Sequence, residues 1–169
     1  MVTATDPAAA RAVVESVLDP EMPMLTIADL GVLRDVQVSD AGVVVRITPT
    51  YSGCPAMGAI RLDIESALRV HGFTEVRVDT VLAPAWSSDW ITPEGRRKLR
   101  ENGYSEPGPA PRPTAGPIAL TLLPPARAIR CPRCDSPETE LISEFSATAC
   151  KALYRCRACL EPFDHVKEI

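Results

Sequence analysis

Cys131-Pro132-Arg133-Cys134 and Cys156-Arg157-Ala158-Cys159 set the fold of the C-terminal part of this chain. Each contains a Cys-x-x-Cys pair, and 21 residues separate the two pairs. Two pairs at this spacing can form two tight turns that present four thiolates to one tetrahedral metal ion. A segment of about 40 residues is too short to bury an ordinary hydrophobic core, so a metal would have to stabilise it. The spacing therefore predicts a zinc ribbon with the ligands Cys131, Cys134, Cys156 and Cys159.

The rest of the composition favours a bound metal over disulfide bonds. The chain has six cysteines, but its N-terminus lacks a basic stretch followed by an apolar segment. It therefore does not resemble a secretory signal, and we expect a cytoplasmic protein whose thiols stay reduced. No apolar run approaches the roughly 18 residues that a membrane-spanning helix needs. Zinc is the expected metal, although rubredoxin-type iron binds the same four sulfur atoms, and the pattern alone leaves both metals open.

The residues around the cysteine pairs indicate a ribbon of three strands. The predicted strands cover residues 140–145, 151–155 and 162–167. The module from residue 128 to residue 169 carries six Lys or Arg and seven Asp or Glu residues, a net charge of −1. A surface with this charge offers little to a phosphate backbone.

A nucleic-acid-binding function is nevertheless an alternative. Four-cysteine ribbons occur in transcription machinery, and a basic cluster precedes the ribbon at Arg96, Arg97, Lys98 and Arg100. Such a cluster is more often the solvated face of a helix than a binding site. The ribbon also lacks a stripe of aromatic and basic residues, so no nucleic-acid partner is expected.

The first hundred residues predict an α+β domain with three helices and three strands. A first helix begins at Asp6-Pro7 and ends near Asp19-Pro20, and two more cover residues 55–72 and 92–103. Apolar residues recur with helical spacing in the first helix at Val13, Val14, Val17 and Leu18. The expected apolar face of the second helix consists of Ile60, Ile64, Ala67 and Leu68, with Leu62 off this stripe. Strands rich in β-branched residues are expected over 32–38, 43–48 and 75–81. Turn residues at positions 39–42 join the first two strands into a hairpin.

A proline-rich stretch separates this domain from the ribbon. Seven prolines lie between Glu106 and Pro125, so the stretch cannot donate regular backbone hydrogen bonds and should be extended and semi-rigid. Within it, Ile118–Leu123 is apolar enough to lie on a surface or to add an edge strand. We therefore expect a domain over residues 1–105, a linker over 106–127 and a zinc-ribbon module over 128–169.

Cys54, far from the ribbon in sequence, is the cysteine best suited to chemistry. The second helix is expected to begin at Pro55, which would place Cys54 at the N-cap. Unpaired N–H groups and the helix dipole at that position favour a thiolate. Gly53, Ala56 and Gly58 are small and leave room for a ligand. The alternatives are a buried packing residue and the nucleophile of a thiol enzyme, for which the sequence shows no base.

Three carboxylates in a loop-rich stretch could assist Cys54 in binding iron. They are Asp19, Glu21 and Asp29. The same residues also suit helix caps and turns. Cys54 is therefore the candidate iron ligand, with the carboxylates as weaker companions.

Several segments of the chain resemble the family of metal-sulfur cluster assembly factors that includes SufT and the MIP-type proteins. The segments are Asp19-Pro20-Glu21, Thr26–Gly31, Thr48–Pro55 and Pro84-Ala85-Trp86. With Asp89–Leu99, Ala149–Cys156 and the four-cysteine module added, the chain is similar to the members of this family that are encoded with phenylacetyl-CoA epoxidase. The likeness covers nearly the whole chain apart from the proline-rich linker.

This resemblance implies an accessory protein rather than the catalyst of the oxygenase that epoxidises the ring of phenylacetyl-CoA in aerobic phenylacetate catabolism. The expected role is to help assemble an iron-sulfur or iron centre in a partner, and the expected partners are oxygenase or reductase subunits of that system. Cys54 would then hold iron or an iron-sulfur cluster transiently, with Asp19, Glu21 and Asp29 as weaker companions. Members of this family often pair, so the resemblance makes a homodimer a possible state of this chain. The expectation of no membrane partner rests instead on the lack of a long apolar run.

Overall fold

The computed structural model describes residues 6–111 and 129–169. The chain divides into two compact units, Met1–Lys98 and Leu99–Ile169. Most of the predicted linker, including Ile118–Leu123, lies outside the described residues. Within the described ranges, no helix combines the length and the apolar character that a membrane span requires.

A three-stranded sheet lies at the centre of the N-terminal unit. Its strands are β1 (Leu33–Ser39), β2 (Gly42–Ile47) and β3 (Val76–Thr80), in the order β1-β2-β3. β1 and β2 form the predicted antiparallel hairpin, and β3 pairs with β2 in parallel. The three strands predicted from β-branched runs are thus present.

The three predicted helices are α1 (Pro7–Glu15), α2 (Ala56–Val70) and α3 (Pro93–Glu101). At the start of α1, the Asp6 side chain accepts hydrogen bonds from the N–H groups of Ala8 and Ala9. At the start of α3, Thr92 Oγ1 accepts one from Gly95 N–H at 3.0 Å. Gly72 follows α2 with a φ of +91°, which suits glycine because it has no Cβ.

α1 is shorter than the sequence predicted. It ends at Glu15 rather than near Asp19-Pro20, because the next residues pair with a later segment. Asp19 N–H donates to Leu25 O and Ile27 N–H donates to Val17 O, both at 2.9 Å. Leu18 and Thr26 form an isolated antiparallel β-bridge, and the sequence did not predict this pairing.

The core of the N-terminal unit confirms the predicted apolar face of α2. Ile60, Ile64 and Leu68 are each at most 1% exposed, whereas Leu62, which lies off the stripe, is 65% exposed. Burying one such aliphatic side chain contributes about 2 kcal/mol.

The sheet topology fixes where the loop that contains Cys54 lies. Because β2 and β3 are parallel, their C-terminal ends share one edge of the sheet. Residues 48–55 follow β2 and residues 81–87 follow β3, so both loops leave from that edge. β1 is antiparallel to β2, so the residues that precede β1 arrive at the same edge.

The second unit contains an antiparallel sheet with the order β4-β5-β6. Its strands are β4 (Thr139–Ser143), β5 (Lys151–Cys156) and β6 (Pro162–Val166). Each matches a predicted ribbon strand to within two residues. Ser105 lies beside β6, because its N–H donates to Asp164 O at 2.8 Å and its carbonyl accepts from Val166 N–H at 3.0 Å.

Candidate functional site

The four ribbon cysteines lie close enough together to hold one metal ion. Their sulfur atoms are all within 4.8 Å of one another. The Sγ atoms of Cys131 and Cys159 are 3.7 Å apart, and those of Cys134 and Cys156 are 3.6 Å apart. A tetrahedral zinc site with Zn–S bonds of about 2.3 Å requires sulfur–sulfur distances of about 3.8 Å. The donor set and its spacing therefore fit zinc.

The two Cys-x-x-Cys turns have the same backbone geometry. In the first, Cys131 N–H donates to Ser136 O at 3.0 Å, and in the second, Cys156 N–H donates to Glu161 O at 2.9 Å. Each turn also has a residue with positive φ directly after its second cysteine. These residues are Asp135 (58°) and Leu160 (65°).

The two turns bury one cysteine each. Cys131 and Cys156 are buried and pack against Phe163, whereas Cys134 and Cys159 are exposed. The ribbon core is therefore continuous with the sulfur cluster.

The thiols of this cluster have opposite tendencies to ionise. N–H groups of Cys159 and Ala158 hydrogen-bond to the Cys156 sulfur and lower its pKa to about 7. Ser136 N–H favours the thiolate of Cys134, but desolvation and the neighbouring sulfur atoms outweigh it and raise the pKa of Cys134 to about 12. Four adjacent thiolates need a cation, and a divalent metal ion supplies that charge.

Cys54 lies in the loop between β2 and α2, one residue before the helix cap. The structure places Pro55 at the N-cap, so the prediction that Cys54 itself is the cap was wrong by one residue. Cys54 N–H donates to Tyr51 O at 3.1 Å, and the side chain is partly exposed. A Cβ at Gly58 would meet no atom within 4 Å, whereas Ala56 is buried.

Asp19 and Asp29 use their carboxylates in hydrogen bonds within the N-terminal unit. Asp19 Oδ1 accepts from the N–H groups of Glu21 (2.9 Å) and Met22 (2.8 Å). Asp29 Oδ2 accepts from Thr26 N–H at 3.0 Å and from Lys98 Nζ at 2.7 Å. Such hydrogen bonds are typical of carboxylates that hold loops in place.

The environment of Asp29 also keeps it ionised. Burial alone would raise the pKa of this carboxyl, but the hydrogen bonds from Lys98 and Thr26 and the charge of Lys98 outweigh burial and lower it. A carboxylate that is already paired with an ammonium group is a poor candidate for a metal ligand.

The structure does not bring Cys54 and the three carboxylates into one ligand group. In residues 6–111 and 129–169, the four ribbon cysteines form the only group of three or more His, Cys, Asp or Glu side chains that could hold one metal ion. Within the same residues, the carboxylate of Glu21 has no hydrogen-bond or ion-pair partner. The role of Cys54 therefore stays a prediction that concerns this residue by itself.

Sequence reasoning missed a tightly packed contact near this edge of the sheet. Trp86 Nε1 donates to Leu30 O at 2.9 Å, and the Arg34 guanidinium lies 3.8 Å from the centre of the Trp90 ring. Gly31 has a φ of +67°, and a Cβ there would lie only 2.6 Å from Trp90 Cβ. The glycine and the two tryptophans were visible in the sequence, but their contact depends on the tertiary fold.

The basic cluster on α3 is engaged in contacts within the chain. Arg96 donates to Ser88 O at 2.9 Å, and Lys98 is bound to Asp29. Arg97 pairs with Glu94, and Arg100 pairs with Glu106 at 2.6 Å. These contacts leave the cluster less available for phosphate groups.

Two family models match different parts of the chain. Residues 7–80 match a model described as iron-sulfur cluster assembly protein, and residues 116–167 match one described as PaaD zinc beta ribbon domain. A protein of Escherichia coli K12, named provisionally as one of the subunits of 1,2-phenylacetyl-CoA epoxidase, is 50% identical over 156 residues, which cover 92% of this chain and 89% of that protein.

A solved structure also resembles part of the chain. It is the crystal structure of a domain of unknown function, DUF59, from Bacillus anthracis. The two are 30% identical with a TM-score of 0.51, and the match covers 55% of this chain and 90% of that domain.

Proposed function

The chain belongs to the PaaD family, and on this premise we propose that it is an accessory protein of the phenylacetyl-CoA epoxidase system in phenylacetate catabolism. In this role it assists the assembly of an iron-sulfur or iron centre in an oxygenase or reductase component. The observation that carries the proposal is the combination of a four-sulfur cluster that fits zinc with a separate, partly exposed cysteine.

The ribbon site has a structural role in this proposal. Cys131, Cys134, Cys156 and Cys159 would hold the zinc ion, and four protein ligands leave no open position for a substrate or water. Two of the four lie in the ribbon core with Phe163, so the ion and the apolar cluster stabilise the same turns.

Cys54 is the residue that would hold iron or a cluster on its way to the partner. Its side chain is partly exposed, and its loop leaves the sheet at the edge shared by β2 and β3. Ligands and substrates often bind outside the carboxyl ends of parallel strands. Of the proposed companions, Glu21 is the one whose carboxylate is not used in a hydrogen bond among the described residues.

Metal content tests this proposal. The protein is purified without oxygen as wild type, Cys54→Ser and Cys150→Ser, and zinc, iron and sulfide are measured per chain. Cys150 is a matched control because it is also partly exposed, lies outside the sulfur cluster and contacts Thr148 Oγ1 at 3.1 Å. We expect about one zinc in all three proteins, as four thiolates bind one ion, and iron in the wild type and in Cys150→Ser.

A second measurement ties the metal to function. Epoxidase activity is measured in cells whose own copy of the gene is replaced by each variant. Loss of activity only with Cys54→Ser supports the proposal, whereas equal iron content and equal activity in all three strains would contradict it.

The two alternatives gain no support from the structure. The basic side chains on which the nucleic-acid-binding alternative depends contact Ser88, Glu94, Asp29 and Glu106 within the chain. A thiol enzyme would need a base near Cys54, and His71 lies at the opposite end of α2, about 25 Å away at 1.5 Å per residue. His71 Nδ1 there contacts Ala67 O at 2.8 Å.

A further inference from the structure

The loop that carries Cys54 is buried at both ends and exposed between them. Residues 48–49 are buried where the loop leaves β2, and Ala56 is buried where α2 begins. Ser52 and Gly53 are exposed, and Cys54 is less exposed than the residue on either side of it. Small exposed residues have little packing of their own to hold a loop in one conformation. The position of the thiol therefore depends on the contacts that its neighbours make.

A tight turn comes directly before Cys54. Cys54 N–H donates to Tyr51 O at 3.1 Å, which closes a turn from Tyr51 to Cys54. Cys54 O accepts from Met57 N–H at 3.5 Å, which is long for a backbone hydrogen bond. The turn is therefore a firmer backbone support for Cys54 than the first turn of α2.

The ring of Tyr51 folds back over this turn. A Cβ at Gly53 would lie 3.7 Å from Cε2 of the Tyr51 ring and 4.0 Å from Cδ2. One edge of the ring therefore lies beside the α-carbon of Gly53, one residue before Cys54. Tyr51 is itself partly buried, and a tyrosine ring is a large, rigid group with only two side-chain torsions. Such a ring is well suited to hold a turn that contains glycine.

We propose that Tyr51 is a positioning residue for Cys54, because its ring holds the turn from which the thiol projects. The inference rests on the proposed function, in which Cys54 holds iron or a cluster. A ligand that is already in its binding geometry loses less conformational freedom when the metal group binds, so the group is held more tightly. The ring rather than the hydroxyl carries this role, since the atoms nearest to Gly53 are ring carbons.

The test compares variants of the zinc-loaded full chain, purified without oxygen. Tyr51→Ala removes the ring, and Tyr51→Phe keeps it without the hydroxyl. Gly53→Val offers a second route, because a stiff branched side chain would press on the ring from the turn. The φ of Gly53 is not positive, so the backbone itself accepts this residue. Ser52→Ala, an exposed position in the same turn, is the control.

Three quantities are measured for each variant. Mass spectrometry follows the rate at which iodoacetamide alkylates Cys54, and Cys150 in the same sample is the reference for a partly exposed thiol. Iron and sulfide per chain are measured after gel filtration. Hydrogen exchange of the α2 amides shows whether the variant keeps its fold.

We expect Tyr51→Ala and Gly53→Val to raise the alkylation rate of Cys54 by about threefold or more, because a loosened turn exposes the thiol more often. Both variants should retain less iron than the wild type, with the α2 amides still protected. Tyr51→Phe and Ser52→Ala should match the wild type in every measurement, and the rate at Cys150 should stay constant.

Several results would overturn the inference. An unchanged alkylation rate in Tyr51→Ala, or in Gly53→Val if the first variant does not fold, would show that the ring does not fix the thiol. Equal effects of Tyr51→Phe and Tyr51→Ala would assign the role to the hydroxyl. Faster alkylation with unchanged iron would mean that the ring only shields the sulfur. Faster alkylation together with unprotected α2 amides would make the role purely structural.

Failure of the proposed function gives a different result. Absence of iron from the wild type would contradict that function. The alkylation rates need no iron, so they would still decide whether the Tyr51 ring positions Cys54.

Discussion

The carboxylate of Asp29 joins separate parts of the N-terminal unit. Its Oδ2 atom accepts hydrogen bonds from Thr26 N–H and from Lys98, 69 residues later. The backbone carbonyl oxygen of Asp29 accepts a hydrogen bond from Thr92 N–H at 2.9 Å. A Cβ at Gly95 would lie only 2.8 Å from the same carbonyl oxygen. The sequence could identify Asp29 as a turn residue or a ligand, but the choice depends on a lysine that only the tertiary fold brings near.

Asp29→Asn should destabilise the N-terminal unit. The substitution removes the ion pair with Lys98 and weakens a bond to Thr26, which together contribute about 1–3 kcal/mol to the free energy of unfolding. The pKa of Asp29 is lowered in the folded state. Its contribution is therefore present above the unfolded-state pKa of about 3.9 and is lost as the pH falls through the lower folded-state pKa. Urea unfolding at pH 7 and at pH 3 measures the difference.

Asp63→Asn is the control for this prediction. Asp63 is exposed on α2 and, among the described residues, has no hydrogen-bond or ion-pair partner. The free energy of unfolding should change by no more than about 0.5 kcal/mol. If Asp29→Asn were as mild as this control at pH 7, the contact with Lys98 would not stabilise the fold.

At the scale of elements, the apolar pattern predicted α2 and its buried face, but not every helix end. The start of α2 was placed one residue early because Pro55 suits both the N-cap and the first helical position. The end of α1 was placed too late because Val17 and Leu18 continue its apolar spacing. Backbone bonds from this segment to Leu25 and Ile27 ended the helix, and such tertiary pairing leaves no local signal.

Two substitutions in α2 separate burial from helix propensity. Ile64→Ala removes a fully buried side chain and should lower the free energy of unfolding by about 2–5 kcal/mol. Leu62→Ala, in the same helix at 65% exposure, should change it by less than about 0.5 kcal/mol. Urea unfolding followed by circular dichroism measures both. A similar loss for the two variants would mean that Leu62 is buried in solution.

At the scale of the whole molecule, the sequence predicted the ribbon better than the Cys54 site. The four ribbon ligands come from two local Cys-x-x-Cys turns, so their spacing in sequence nearly determines their spacing in space. Asp19, Glu21 and Asp29 lie in loops whose positions depend on many distant contacts. The positions of these three residues in the sequence therefore could not predict whether their carboxylates share a site with Cys54.

Removing the zinc should unfold the ribbon sheet and leave the sheet of the N-terminal unit folded. The sheets β1-β2-β3 and β4-β5-β6 are separate in their hydrogen bonding. In zinc-finger peptides, whose metal site has the same structural role, zinc binding contributes about 10–16 kcal/mol to folding. A zinc chelator should therefore abolish the slow hydrogen exchange of amides in β4, β5 and β6. Amides in β2 and β3 should keep theirs, because Val45, Ile47 and α2 form a core that holds no metal.

A chelator already saturated with zinc is the control, and it should leave all amides protected. Cys134→Ser offers a second route, because it removes an exposed ligand without creating a cavity in the ribbon core. Its ribbon should exchange fast even without chelator. Simultaneous loss of protection in both sheets would show that the N-terminal sheet depends on the metal. Protection in the ribbon that survives both treatments would mean that Phe163 and its neighbours hold it without zinc, contrary to the small size of that apolar cluster.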